Sequence, residues 1–286
     1  MPKIITHFHS AFLASLTATF QSWQQSADIA PAIKQGMWQF LHGGKHLRAT
    51  LSYAIGQTLG CKDNDIADVA IAIESIHSYS LIHDDLPAMD NDDWRRGFWS
   101  CHQLYGESTA ILIGDALHAF AFEILSNAAA ANSNRLAMIA TLSQAIGAKG
   151  LISGQYLDLN FQKDQSIAAV KQMYQQKTGK LWTAIAQMLI SNQNGNCKQQ
   201  ALLEYAQLLG IAFQLSNDFE ALRKHKTENS ISLINLLGKT EAKTLWTEQL
   251  NLSSSIISTH FADSALASWH THWIQLQQHP DWECHS

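Results

Sequence analysis

The chain has 286 residues, 46% of them hydrophobic, and a formal net charge of −5. That length and apolar content suit a single fairly large domain, 1–286, with a deep core, and the near-neutral balance gives no reason to expect nucleic acid or an anionic membrane as partner. Four scattered cysteines (Cys61, Cys101, Cys197, Cys284) form no CxxC pair, which argues against a disulfide framework or a zinc site and suits a reducing, cytoplasmic setting.

Along the chain, Lys3 opens a mildly apolar run that His7 and His9 interrupt, with no small-residue cleavage site after it, so no signal peptide is expected. Next comes Gly43-Gly44-Lys45-His46-Leu47-Arg48, which puts Lys45 and Arg48 three apart, on one face at the start of a helix. Apolar positions recur at three- and four-residue spacing through 50–59, 65–82, 109–127, 135–148, 167–191 and 199–222. The most apolar run, 110–125, carries Asp115, His118 and Glu123, and so reads as a core helix and not a stable membrane insertion. Polar or glycine stretches at 42–44, 61–64, 131–134 and 192–198 separate the helices. Period-two alternation is almost absent. One all-α domain of about ten or more helices is predicted.

The stretch 81–97, LIHDDLPAMDNDDWRRG, gathers five aspartates and two arginines around Pro87. Asp84 and Asp90 are six apart, which an ideal helix would not put on one face. Pro87 lacks an amide proton and crowds the preceding turn, so the helix must bulge or stop there, and a bulge would return Asp90 to Asp84 and Asp85. Carboxylates packed so closely call for a cation. Hard oxygen ligands suit Mg²⁺, which takes one or two carboxylates and fills its remaining positions with water and phosphate. Arg95 and Arg96 stand ready as phosphate donors. A solvated acidic turn capping a helix is the alternative, weakened by the apolar helix 71–82 just before it. Lys177-Thr178-Gly179-Lys180 repeats the basic theme. Each basic cluster alone reads as a solvated helix end; together with the carboxylates they suggest a metal–diphosphate site in an apolar cavity.

These motifs, GGKHLR (43–48), IHSYSLIHDDLPAMDNDDWRRG (76–97), CHQLYGESTAILIGDAL (101–117), ISGQYLDL (152–159) and KTGKL (177–181), resemble the trans-polyprenyl diphosphate synthases, most closely the bacterial farnesyl diphosphate synthases. The resemblance implies an all-α bundle around a central cavity, usually homodimeric. In such enzymes Mg²⁺ holds an allylic diphosphate that ionises, isopentenyl diphosphate attacks the cation, and a proton leaves to the departed diphosphate. It further implies Asp84 and Asp90 as metal ligands with Asp85 beside them, and Arg95, Lys177 and Thr178 as contacts to the allylic diphosphate. Lys45, Arg48, His77 and Arg96 match the isopentenyl diphosphate site. Tyr79, five residues and about 7.5 Å of helix before Asp84, matches the aromatic that stops growth at fifteen carbons.

The second aspartate motif of the family, DDxxD, is altered. After Phe213-Gln214, where Gln214 is implied as a substrate contact, the chain reads Ser216-Asn217-Asp218-Phe219-Glu220-Ala221. Asn217 and Ala221 replace two aspartates and leave Asp218 as the remaining ligand. Asn229-Ser230 stands where the family has a Gly-Lys pair. Asp218, Glu220, Lys224 and Lys226 are the candidates to compensate. Three readings follow: a short-chain prenyl diphosphate synthase making farnesyl diphosphate, slowed by the altered motif; a homologue or partner subunit that binds prenyl diphosphates without elongating them; and, ranked last, a terpene cyclase, for which Ala221 and His225 occupy the wrong positions. The C-terminal His270, His272, His279 and His285 with Cys284 read as a solvated tail.

Overall fold

A computed structural model describes residues 3–25, 28–160, 166–191, 198–223 and 232–277. Cys197, Lys224, His225, Lys226, Asn229, Ser230, His279, Cys284 and His285 lie outside these residues.

Helix α1 (Lys3–Gln24) buries Ile5, Phe8, Phe12, Leu16 and Phe20, a stripe at three- and four-residue spacing. α2 (Pro31–His42) begins with a proline at its first position, where no amide bond is lost. α3 (Leu47–Leu59) and α4 (Asp63–Asp84) follow, and α4 is apolar on every side, burying fourteen residues from Ile66 to Ile82. A helix buried all round must be central, and α1, α2, α3 and α6 (Glu107–Asn127) surround α4, with α10 (Lys180–Ser191) on the remaining side. Two-residue strands β1 (Trp94–Arg95) and β2 (Phe98–Trp99) form an antiparallel hairpin before the short α5 (Cys101–Tyr105). α7 (Asn132–Ile146), α8 (Leu151–Leu159) and α9 (Ile167–Tyr174) lead through a π-helical turn, Gln175–Gly179, into α10. α11 (Gln199–Arg223), α12 (Leu233–Leu237), α13 (Lys239–His260) and α14 (Ala265–Gln277) complete the bundle.

The all-α expectation holds, with two refinements. The run 167–191 is not one helix, because the π turn interrupts it at Lys177-Thr178. The short hairpin at 94–99 is the one sheet among the described residues. α6 is long and apolar enough to cross a membrane, yet it places Ile113, Leu117, Phe120 and Leu125 in the core, as a core helix should.

The C-terminal histidines require a correction. His270 and His272 are buried in α14, with relative exposures of 4% and 8%. His270 Nδ1 lies 3.1 Å from the Tyr205 hydroxyl and Nε2 lies 3.0 Å from Ser254 Oγ, so one ring ties α14 to α11 and α13. Burial pushes its pKa down to about 4. The unfolded chain, with a histidine near 6.5, binds more protons between those values, so stability falls as pH drops from about 6.5 to 4, by roughly 3 kcal/mol. His270→Gln should flatten that segment of the stability–pH curve measured by urea unfolding.

Candidate active site

Asp84 is the last helical residue of α4. Pro87 has no amide proton to continue the ladder, and the chain folds back instead of bulging. Met89 N–H donates to the Leu86 carbonyl (2.9 Å), and Asp90 N–H donates to the Asp84 carbonyl (2.8 Å). That backbone bond across six residues returns Asp90 to the end of α4 at Asp84. Burial pushes Asp84 up to about 7, with Asp90 and Asp85 adding to the rise and Lys177 and Arg95 opposing it. Asp90 is raised too, by burial first and then by Asp158 and Asp92 against Lys177 and Arg95.

Asp85 pairs with an arginine of the same motif. It is 1% exposed and takes the Arg95 guanidinium, whose Nε donates to Oδ1 at 2.8 Å and whose Nη2 reaches both Asp85 and Asp92. Both bonds fall on Oδ1, so one oxygen of Asp85 orients Arg95. Arg95 comes within reach through the β1–β2 hairpin, where Arg96 and Gly97 turn the chain with φ of 56° and 83°, the positive values a two-residue hairpin loop requires.

Across from the acidic turn, the π turn presents Lys177 and Thr178. A Cβ on Gly154 would fall 2.1 Å from the Lys177 backbone nitrogen, so α8 approaches the π turn only because that residue is glycine. Lys177 Nζ donates to Asp158. Burial would depress Lys177, but Asp158, Asp84 and Asp90 together outweigh it and raise its pKa. The Thr178 hydroxyl donates to Gln214 Oε1 (2.8 Å), Gln214 Nε2 donates to Asp218 Oδ1 (3.2 Å), and the Tyr174 hydroxyl donates to Asp218 Oδ2 while accepting from Leu233 N–H (2.9 Å). Burial pushes Asp218 up to about 7, against the bonds from Tyr174 and Gln214. Asn217 is exposed on the neighbouring turn of α11.

Next to the acidic turn, sharing Asp85 and Arg95 with it, lies a cavity of about 830 Å³ lined by Lys45, Arg48, His77 and Arg96. α3 starts at Leu47, so Lys45 precedes the helix and does not share a helical face with Arg48; both still line the cavity. Arg48 is 7% exposed, its guanidinium lies 5.3 Å from the Trp182 ring and 5.4 Å from Phe213, and its Nε has no partner. An unpaired buried donor on a cation is costly. Burial pushes Arg48 down to about 10, partly offset by Glu74. His77 is held well below its usual value by burial and by Arg48, Arg96 and Arg95, so it is a neutral donor and acceptor.

Tyr79 is 8% exposed, packed edge-on against His83 (5.2 Å) and His118 (5.1 Å). Asp158, Tyr174, Glu74 and Trp182 were not singled out from the sequence. Asp158 lies within the ISGQYLDL motif, whose carboxylate was a visible signal; the others read as ordinary core positions.

Among the described residues no three acidic, histidine or cysteine side chains converge on one point. Asp84 and Asp90, joined through their backbones, with Asp218 coupled to the same Lys177, make a donor set of hard oxygens raised by burial and mutual repulsion. That set fits a divalent cation that takes few carboxylates and completes its shell with water and phosphate.

The polyprenyl synthetase family model matches residues 30–230. Farnesyl diphosphate synthase from Haemophilus influenzae is 43% identical over 194 residues, 66% of this chain and 66% of that protein. The Escherichia coli farnesyl diphosphate synthase is 42% identical over 194 residues, covering 66% of this chain and 65% of that protein. The match thus spans about two thirds of these relatives' length. The crystal structure of a geranyltransferase from Legionella pneumophila superposes with a TM-score of 0.88 at 29% identity, covering 96% of this chain and 97% of that one.

Proposed function

Because the chain belongs to the polyprenyl synthetase family, we propose that it condenses isopentenyl diphosphate with an allylic diphosphate (dimethylallyl or geranyl) to give farnesyl diphosphate. The observation that carries the reading is the juxtaposition of the Asp84–Asp90 turn with the cavity of Lys45, Arg48, His77 and Arg96, joined by the Asp85–Arg95 pair. One side suits a metal-bound diphosphate and the other a metal-free one.

In this reading Asp84 and Asp90, with Asp218 opposite, would hold Mg²⁺, whose charge neutralises the allylic diphosphate as it leaves. Arg95, kept in place by Asp85, and Lys177 supply cationic donors to the same leaving group. Thr178 and Gln214 sit on the hydrogen-bonded path to Asp218 and contact the diphosphate end. Lys45, Arg48 and Arg96 bind the acceptor's diphosphate, and neutral His77 can donate to it without adding charge. A cytoplasmic homodimer is part of the same proposal, and the exposed Ile111 and Leu112 of α6 are apolar surface that a second copy could cover.

Asn217 and Ala221 favour a second reading, a protein that binds these diphosphates without elongating them. Product analysis with isopentenyl diphosphate and each allylic substrate separates the two, since the first requires a fifteen-carbon product. In the same assay Tyr79→Ala should give products longer than fifteen carbons, because it opens the space between His83 and His118. An unchanged product distribution would remove Tyr79 from that role.

A further inference from the structure

We propose that His9 of α1 is a positioning residue for the acceptor end of the basic cavity, acting through His46. The inference rests on the acceptor reading above. On either side of Lys45 the chain passes through conformations that residues with side chains disfavour: Gly44 has φ of 127°, and His46 sits in the left-handed region with φ 47° and ψ 43°. Such a backbone persists only where its surroundings fix it. The His46 ring is what fixes it here. It is 4% exposed, with Nε2 3.2 Å from the Leu41 carbonyl and Nδ1 3.1 Å from His9 Nε2, and the Phe12 ring lies 4.9 Å away.

The partners dictate the proton positions. A carbonyl can only accept, so His46 carries its proton on Nε2 and keeps a lone pair on Nδ1. His9 Nε2–H must then be the donor. Burial lowers the His46 pKa and favours this neutral ring; buried Glu74 opposes that, while His9 and Arg96 reinforce it. The His46 carbonyl accepts from Thr50 N–H (2.9 Å), the bond that opens α3 and sets the direction of Arg48. Lys45 precedes His46, and Lys45, His46 and Arg48 all line the cavity. Without the His9 bond the His46 ring is held on one side only, by the Leu41 carbonyl and Phe12, and the loosened segment lets both cations shift against the acceptor diphosphate while the acidic turn stays as it is.

The test compares His9→Leu and His9→Gln in the full chain; the glutamine Nε2–H can stand where the imidazole Nε2–H does. His9→Leu should raise KM for isopentenyl diphosphate about twofold to tenfold, as expected for one lost hydrogen bond, with KM for the allylic diphosphate and the thermal midpoint nearly unchanged. His9→Gln should restore the wild-type value. Imidazole ¹⁵N NMR should find His46 protonated on Nε2. Equal effects on both KM values, no effect on either, or a proton on Nδ1 would overturn the inference. Calorimetric binding of isopentenyl diphosphate reads the same contrast without turnover. A wild type that binds but does not condense removes the proposed reaction and leaves this inference standing, whereas a wild type that does not bind removes both.

Discussion

Asp84→Asn should lower the condensation rate by at least about 100-fold, because loss of a group one step removed from a metal already costs about 10–100-fold, and the barrier rises accordingly by roughly 2.7 kcal/mol. Asparagine keeps the shape and one oxygen, and the α4 ending depends on the Asp84 backbone carbonyl, which the substitution leaves in place. Stability should hold or rise, since a carboxylate that burial pushes up to about 7 is a charge the fold carries at a cost. The prediction is therefore a split: turnover and Mg²⁺-dependent binding of inorganic diphosphate collapse while the thermal midpoint does not fall. Kinetics and calorimetry on the same preparation read both. Turnover within threefold of wild type would remove Asp84 from the site.

The second large effect runs the other way. Asn217→Asp together with Ala221→Asp should raise the rate about tenfold or more if the altered second motif is what slows the enzyme. The two positions are four apart on α11 and so share a face, and Asn217 is exposed enough to accept a charge without a desolvation cost. Asp218 already accepts from the Tyr174 hydroxyl and the Gln214 amide, so it brings less free charge to the cation than the two added carboxylates would. A natural protein already as fast as an ordinary farnesyl diphosphate synthase, with no change in the double variant, would mean that other groups complete the metal site.

The sequence alone determined the helical class, and its motifs named the residues that the acidic turn and the basic cavity gather. Each of these is encoded locally. A 3.6-residue apolar rhythm specifies helices whatever they pack against, and a helix apolar on every side can only be central. Proline at position 87 between aspartates six apart forces a break that brings them together within ten residues of chain. Lys45, Arg48, His77 and Arg96 were recognisable by motif, and the cavity gathers all four.

Tertiary structure decided what the side chains do once gathered. Asp85 stands beside the other aspartates in the linear motif, and the hairpin brings Arg95, ten residues away, onto its Oδ1, a pairing the motif alone does not reveal. Lys177 finds Asp158 because Gly154 lets α8 meet a π turn that helical periodicity cannot reveal. His270 and His272 read as tail residues by spacing, yet both are buried in α14, and the bonds of His270 to Tyr205 and Ser254 exist only after three distant helices pack. His46 was one letter in a basic motif until α1 laid His9 against it. Periodicity and backbone chemistry act over a few residues and can be read in order along the chain. Pairing of buried polar groups depends on which helices meet, so those partners became visible only once the bundle had closed.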